Sequence, residues 1–407
     1  MRRLSPRVAL PLSLLAAAAA VVAATITATD HRGRPAARRS AQVAGRPATR
    51  PSREDRAVAR ASSLQRLSLA QLAGQRIIYS YRGLNPPASL LARIRGGEAA
   101  GVIFFAPNVS SLAQIRAVVR ELQRANASSP VHEPLLMMTD QEGGLVRRLP
   151  GAPELSEKQI GERPDAVALA GQAGEEAGEN LAGVGINVNL APVLDVFREP
   201  GDFIDQFQRS YSSSPQAVAE LGGAFISALQ RTGVAATAKH FPGLGAATTD
   251  QNTDEAPVEL DQPLNELRAV DEAPYRTAIT AGVRLVMTSW AVYPALDPRL
   301  PAGLSPTVIG GELRGRLGFR GVTITDSIEA GAVRGYGTLA QLGVLASSAG
   351  ADLLLCSATN ADDNSPAVGV SVLHGLASAL ATGQLGRSSA EQAVELVLAL
   401  RASSTRR

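Results

Sequence analysis

Eight short apolar runs, separated by helix-like stretches, constrain this chain more than any other feature. They are RIIYSY (76–81), GVIFF (101–105), LLMMTD (135–140), INVNLAPV (186–193), VAATAKHF (234–241), RLVMTSW (284–290), VTITDS (322–327) and ADLLLCS (351–357). Runs of this length that are apolar throughout read as parallel strands buried on both faces. Between them, SSLAQIRAVVRELQRA (110–125) and SPQAVAELGGAFISALQR (214–231) space their apolar residues as helices do. Ser and Asp lead several of these segments, and Gly233, Gly282 and Gly350 follow others, as helix start and stop signals. Eight strand-then-helix units predict a (β/α)8 barrel. An open doubly wound sheet uses the same units, but no Gly-rich dinucleotide fingerprint follows the first run.

In a barrel the C-terminal ends of the strands converge on one pocket. The third run ends at Asp140 and continues as QEGGLVRRL, with Arg147 and Arg148. The fourth leads to Asp195, and its loop holds Asp202, Asp205 and Arg209. The fifth ends in Lys239-His240 and opens into a Gly-, Ala- and Thr-rich loop with Asp250, Asn252 and Asp254. Lysine is scarce: of 40 Lys and Arg only Lys158 and Lys239 are Lys, leaving 38 Arg. The sixth run ends at Trp290, the only Trp, and the seventh carries Asp326. A single strand-end Asp is often just a helix cap, but polar ends on five of the eight runs predict a shared site.

This side-chain set suits a carbohydrate, because charged partners make the stronger hydrogen bonds to sugar hydroxyls. Trp290 suits stacking on a sugar face, or else the core. Asp326, flanked by β-branched residues in TITDS, suits a nucleophilic carboxylate attacking an anomeric carbon. Gly243, Gly245 and the small residues of 246–249 predict that the loop from Gly243 to Asp254 is mobile and closes over substrate. No Gly-x-Ser-x-Gly elbow, Walker loop, His-rich cluster or Cys pair occurs, so no cofactor or metal is expected.

The first 62 residues hold 12 Arg against three acidic residues, about +9, so the remainder carries about −6 of the net +3. The basic character therefore belongs to the tail, and no basic patch interleaved with aromatics suggests nucleic-acid binding. Residues 1–29 pair a positive start, MRRLSPR, with an uncharged stretch from Val8 to Thr29, which reads as a signal peptide or membrane anchor. Residues 30–62, rich in Arg, Ala and Pro, read as a disordered basic linker, and 63–403 as the barrel domain. The single Cys356 permits no internal disulfide.

DQEGG (140–144), NVNLAPVLDV (187–196), QRSY (208–211), KHFPGLG (239–245), YPALDP (293–298) followed by LSP (304–306), and GFRGVTITDS (318–327) resemble the N-terminal barrel domain of glycoside hydrolase family 3. Within it they are most similar to single-domain bacterial β-N-acetylglucosaminidases, which release N-acetylglucosamine from peptidoglycan fragments with retention. The resemblance implies that Asp326 is the nucleophile and that Asp140, Arg148, Arg209, Lys239 and His240 bind the sugar. Five positions depart from the family pattern. Leu244 replaces a loop His, and Asp250-Gln251-Asn252 replaces Asp-Ser-His, whose His is the family's general acid/base. Trp290 stands where another His is usual, and Leu145 where Arg is often found. Asn supplies no proton near neutral pH, which leaves Asp250 or Asp254 as the acid. The expectation is an exported, monomeric enzyme that removes terminal β-linked N-acetylhexosamine from cell-wall saccharides. Two other readings stay open: a silent barrel that binds wall sugars, and a hydrolase of another β-glycoside such as a glucoside.

Overall fold

The computed structural model describes residues 64–357 and 366–403. The expected signal or anchor (1–29) and basic linker (30–62) lie outside the described residues. Eight parallel strands close into a barrel: β1 (Ile77–Tyr79), β2 (Gly101–Ile103), β3 (Leu136–Thr139), β4 (Val188–Asn189), β5 (Ala235–Phe241), β6 (Leu285–Thr288), β7 (Val322–Ser327) and β8 (Leu353–Leu355). Each pairs with its successor and β8 pairs with β1, so all eight apolar runs take their expected places. The helices between them include Ala88–Arg95, Leu112–Ala127, Ala166–Val184, Pro215–Arg231, Ala273–Thr280 and Leu339–Ala349.

The pleat explains why the runs are apolar throughout. Ile78, Ile103, Met138, Val188, Leu285, Ile324 and Leu353 fill the interior, while their neighbours Ile77, Tyr79, Val102, Met137, Val286 and Leu354 pack outward against the helices. Each such side chain fully removed from water contributes about 1.5–3 kcal/mol. The helices start where their sequences say they should. Ser111 accepts from the Gln114 N–H at 3.1 Å, and Ser214 caps the helix that Pro215 opens. Gly350, at φ +108°, ends Leu339–Ala349 in the left-handed region.

The C-terminal helix Arg387–Ser403 has a role its sequence does not announce. It lies across the N-terminal end of the barrel, where Leu396, Val397 and Leu400 join the interior cluster. Arg401, fully buried, donates to the carbonyls of Glu133 and Pro134 and to the side chains of Asn126 and Gln75. The barrel floor is therefore sealed by apolar packing and one guanidinium. Among the described residues no helix is long and apolar enough to cross a membrane.

Candidate functional site

At the other end of the barrel the expected polar strand ends do meet. After β3 and Asp140 the chain turns into a hairpin, Gln141–Gly143 against Val146–Arg147. Gln141 fastens it: its side-chain oxygen accepts from the Arg148 and Leu149 N–H groups, and its amide donates to the Leu149 and Ala152 carbonyls. Arg148 Nε stands 3.8 Å from Asp140 Oδ2, an ion pair without a hydrogen bond.

Lys239, on β5, has a side chain only 2% exposed and donates to Asp140 Oδ1 at 2.8 Å and Glu142 Oε1 at 2.7 Å. Burial opposes its charge, but Asp140 and Glu142 together outweigh this and hold its pKa above the ordinary value. Arg209 grips Glu142 with both Nε and Nη2, each at 2.9 Å. Burial alone would push Glu142 up, yet Arg209 and Lys239 overrule it and bring it to about 2.

His240 is oriented from below. Asp195, wholly buried beyond β4, accepts from His240 Nδ1 at 2.7 Å and from the backbone N–H groups of His240 and Leu244. A carboxylate at Nδ1 fixes a ring proton there and sets the orientation of the imidazole.

Asp326 lies at the end of β7, half-buried, and its Oδ1 accepts from the Ser327 N–H at 2.7 Å. The β5 loop docks against the segment after β7: Gly331 donates to the Asp254 carbonyl at 2.7 Å and Ala332 to that of Thr253 at 3.1 Å. A Cβ at Gly331 would come within 1.9 Å of the Glu255 carbonyl, so the close approach requires glycine. The Asp254 side chain is open to solvent at the mouth. Even so, the partial loss of water around it, and then the charge of Asp326, push its carboxyl up to about 6 against the pull of His240 and Arg209.

The structure thus gathers Asp140, Arg148, Arg209, Lys239, His240, Asp254 and Asp326 around one mouth, and treats the remaining candidates differently. Trp290 is a correction: it is 1% exposed, and its indole N–H donates to the Ser327 carbonyl at 2.7 Å, so it buttresses β7 from within the core and offers no face to a sugar. Asp250 is exposed, and its carboxylate has no partner among the described residues; only its carbonyl is engaged, by the Asn252 N–H. Asn252 is a turn-builder, accepting from the Asp254 N–H and donating to Glu255. The first half of the expected mobile loop is anchored. Leu244 is buried, and a Cβ at Gly245 would strike the Val196 carbonyl at 2.1 Å, so the glycine marks tight packing instead of freedom. Within the loop, Thr248–Asp250 at the tip and Asp254 at the end are exposed.

Glu142 was passed over as a candidate, and Asp195, counted among the polar strand ends, was given no role in the site. Glu142 lies inside DQEGG and Asp195 inside NVNLAPVLDV. An acidic residue that interrupts an otherwise apolar or Gly-rich stretch was the available signal. Among the described residues no group of three or more His, Cys, Asp or Glu is arranged to hold a metal ion.

The glycosyl hydrolase family 3 N-terminal domain matches residues 67–400, nearly the whole described barrel. The chain belongs to that family. It is an O-glycosyl hydrolase by that membership and by its relatives. An uncharacterized secreted glycosyl hydrolase of Arthroderma benhamiae is 46% identical over 336 residues, covering 82% of this chain and 93% of that protein. A β-hexosaminidase of Nitrosomonas eutropha is 35% identical over 263 residues, covering 63% of this chain and 72% of its own. Among solved structures, a family 3 β-N-acetylglucosaminidase from Paenibacillus sp. aligns with a TM-score of 0.77 and 35% identity over 84% of this chain. This chain spans 64% of that protein. A β-N-acetylhexosaminidase from Beutenbergia cavernae aligns with a TM-score of 0.74 and 30% identity, over 82% of this chain and 98% of its own.

Proposed function

We propose that this family 3 barrel is an exported, retaining exo-hydrolase of β-linked N-acetylhexosamine in cell-wall saccharides, with Asp326 as nucleophile and Asp254 as general acid/base. The observation that carries the reading is the convergence of two carboxyl groups, Asp254 and Asp326, on one mouth. Asp254 is raised to about 6 partly by the charge of Asp326, and such a pair divides acid and nucleophile roles between its members. Asp254 takes the role in preference to Asp250 because its carboxyl lies where the charge of Asp326 acts on it. The named activities of the relatives support the substrate class, and the secreted relative supports export.

In the first step an Asp326 oxygen bonds to the anomeric carbon while the glycosidic C–O bond breaks and Asp254 gives its proton to the departing oxygen. In the second, Asp254 takes a proton from water as that water attacks the same carbon, which frees Asp326 and restores the acid. Asp140, Arg148, Arg209, Lys239 and His240 hold the sugar's hydroxyl groups meanwhile.

The test is hydrolysis of aryl β-N-acetylglucosaminides and aryl β-glucosides by the purified protein. Faster turnover of the N-acetylated series supports the reading. A preference for the glucosides overturns the substrate class. Sugar binding without hydrolysis of even activated aryl glycosides overturns the enzymatic role.

A further inference from the structure

One buried carboxylate touches two of the sugar-holding groups without facing the sugar itself. Glu142 is 2% exposed, on the first strand of the hairpin after β3. Its Oε1 accepts from both Lys239 Nζ at 2.7 Å and Arg209 Nη2 at 2.9 Å, and its Oε2 accepts from Arg209 Nε at 2.9 Å. The hairpin gives it little room to move. A Cβ at Gly143 would fall 2.2 Å from the Leu155 carbonyl, and one at Gly144 2.5 Å from the Ser156 Cβ, so the turn is clamped on its neighbour.

The donors left over follow from counting. An ammonium has three protons. Lys239 gives one to Asp140 and one to Glu142, which leaves one unassigned. A guanidinium has five N–H groups in a fixed fork. Glu142 occupies the Nε and Nη2 edge of Arg209, and Nη1 has no partner among the described residues. We propose that Glu142 is a positioning residue for sugar recognition: it fixes which N–H groups of Lys239 and Arg209 remain for the sugar, and supplies the negative charge that lets two cations share one oxygen. The proposal rests on the sugar-holding reading of Lys239 and Arg209. A neighbouring carboxyl shows how tightly charge is balanced here. The carboxyl of Glu157, buried nearby, is raised well above its ordinary value by burial and then by the charge of Glu142.

The experiment compares Glu142→Gln, Glu142→Asp and Lys239→Ala with the wild type. It measures kcat and KM on an aryl β-N-acetylglucosaminide, affinity for N-acetylglucosamine by calorimetry, and Tm. In either flip a Gln amide sets an N–H against an N–H of Lys239 or Arg209. Glu142→Gln is expected to lower kcat/KM about 10- to 100-fold, chiefly through KM, the range that loss of a charge-assisted hydrogen bond brings. Glu142→Asp keeps the anion and hence the fold, but is one methylene too short to hold both cations. It is expected to raise KM and weaken sugar binding at a nearly unchanged Tm. Unchanged KM and affinity in both Glu142 variants, whatever the Tm, overturn the positioning role. Unchanged affinity in Lys239→Ala overturns the sugar-holding reading beneath it, a separate failure. If Glu142→Gln does not fold, Glu142→Asp decides the matter alone.

Discussion

The two ends of this barrel handle buried charge in opposite ways. At the floor, Arg401 directs its N–H groups to carbonyls and amide oxygens and makes no ion pair among the described residues. Burial lowers its pKa to about 10. Arg76, also at the floor, bonds the carbonyls of Ala351 and Asp352 and is likewise lowered to about 10 by burial, against the pull of Asp352. At the mouth, Lys239 and Arg209 are held by carboxylates and keep donors in reserve. A buried cation that faces neutral carbonyls has its charge opposed by burial, whereas one that faces carboxylates has it sustained. The difference teaches that burial alone does not mark a functional charge; the groups that hold the cation do.

The largest expected effect belongs to the mouth. Asp326→Ala should lower kcat/KM on aryl β-N-acetylglucosaminides by on the order of 10⁴-fold or more, with Tm within a degree or two of wild type. A large fall in Tm would break the comparison, because Asp326 would then be structural. Asp254→Ala should cost about 10²–10⁴-fold on substrates with poor leaving groups and far less on activated ones, because only the former need the proton. The general acid must be protonated, and its carboxyl sits at about 6. Turnover of poor-leaving-group substrates should therefore fall as pH rises through about 6, and the variant should lose that limb. Equal losses on both substrates, from a pH–rate series, would remove Asp254 as the acid.

The barrel and much of its mouth were legible in the sequence for one physical reason. Strands buried on both faces must be apolar throughout, so an Asp or Lys at the end of such a run stands out, as Asp140, Lys239 and Asp326 did. What joins them was not legible. Lys239 and Asp140 are 99 positions apart, and no local pattern reports that they touch. Spacing could not separate Asp250 from Asp254, because the charge of Asp326 that acts on Asp254 comes from a strand 72 positions away in the chain. Trp290 carried the same signal as a sugar platform would, and only the closure of β7 over it shows that it is core. Gly245 read as freedom because composition cannot distinguish a flexible glycine from one pressed on the Val196 backbone.

The next effect tests the floor. Arg401→Met should leave kcat/KM unchanged at moderate temperature and lower Tm clearly. The variant keeps the apolar volume but leaves the Glu133 and Pro134 carbonyls without their donor. Each buried acceptor so orphaned costs about 1–3 kcal/mol. A change in KM without a change in Tm, measured by kinetics beside calorimetry, would mean that floor and mouth are coupled.

The smallest effect concerns a residue that sits near the mouth but resembles the floor. Glu329, three positions beyond Asp326, is 5% exposed, and neither of its side-chain oxygens has a well-formed hydrogen bond. Burial, with a smaller contribution from the charge of Asp326, pushes it up to about 8, against the nearby Ser357 and its own backbone N–H. At neutral pH it is therefore a neutral acid in the folded chain, whereas in the unfolded chain it is ionised. The sign follows from linkage. Below the ordinary value of 4.5 both states hold the proton and the folded state bears no penalty; as pH rises toward 8 the unfolded state alone is released from it, and stability is lost. Glu329→Gln is neutral at every pH and escapes this loss. The Tm difference, variant minus wild type, should thus grow by a few degrees between about pH 5 and pH 8. Activity at about pH 6 should change little, since the variant keeps the neutral form already present there. A Tm difference that stays flat with pH would show that Glu329 is ionised in the folded chain. That would place a second negative charge beside Asp326 and make Glu329 part of the mouth's electrostatics.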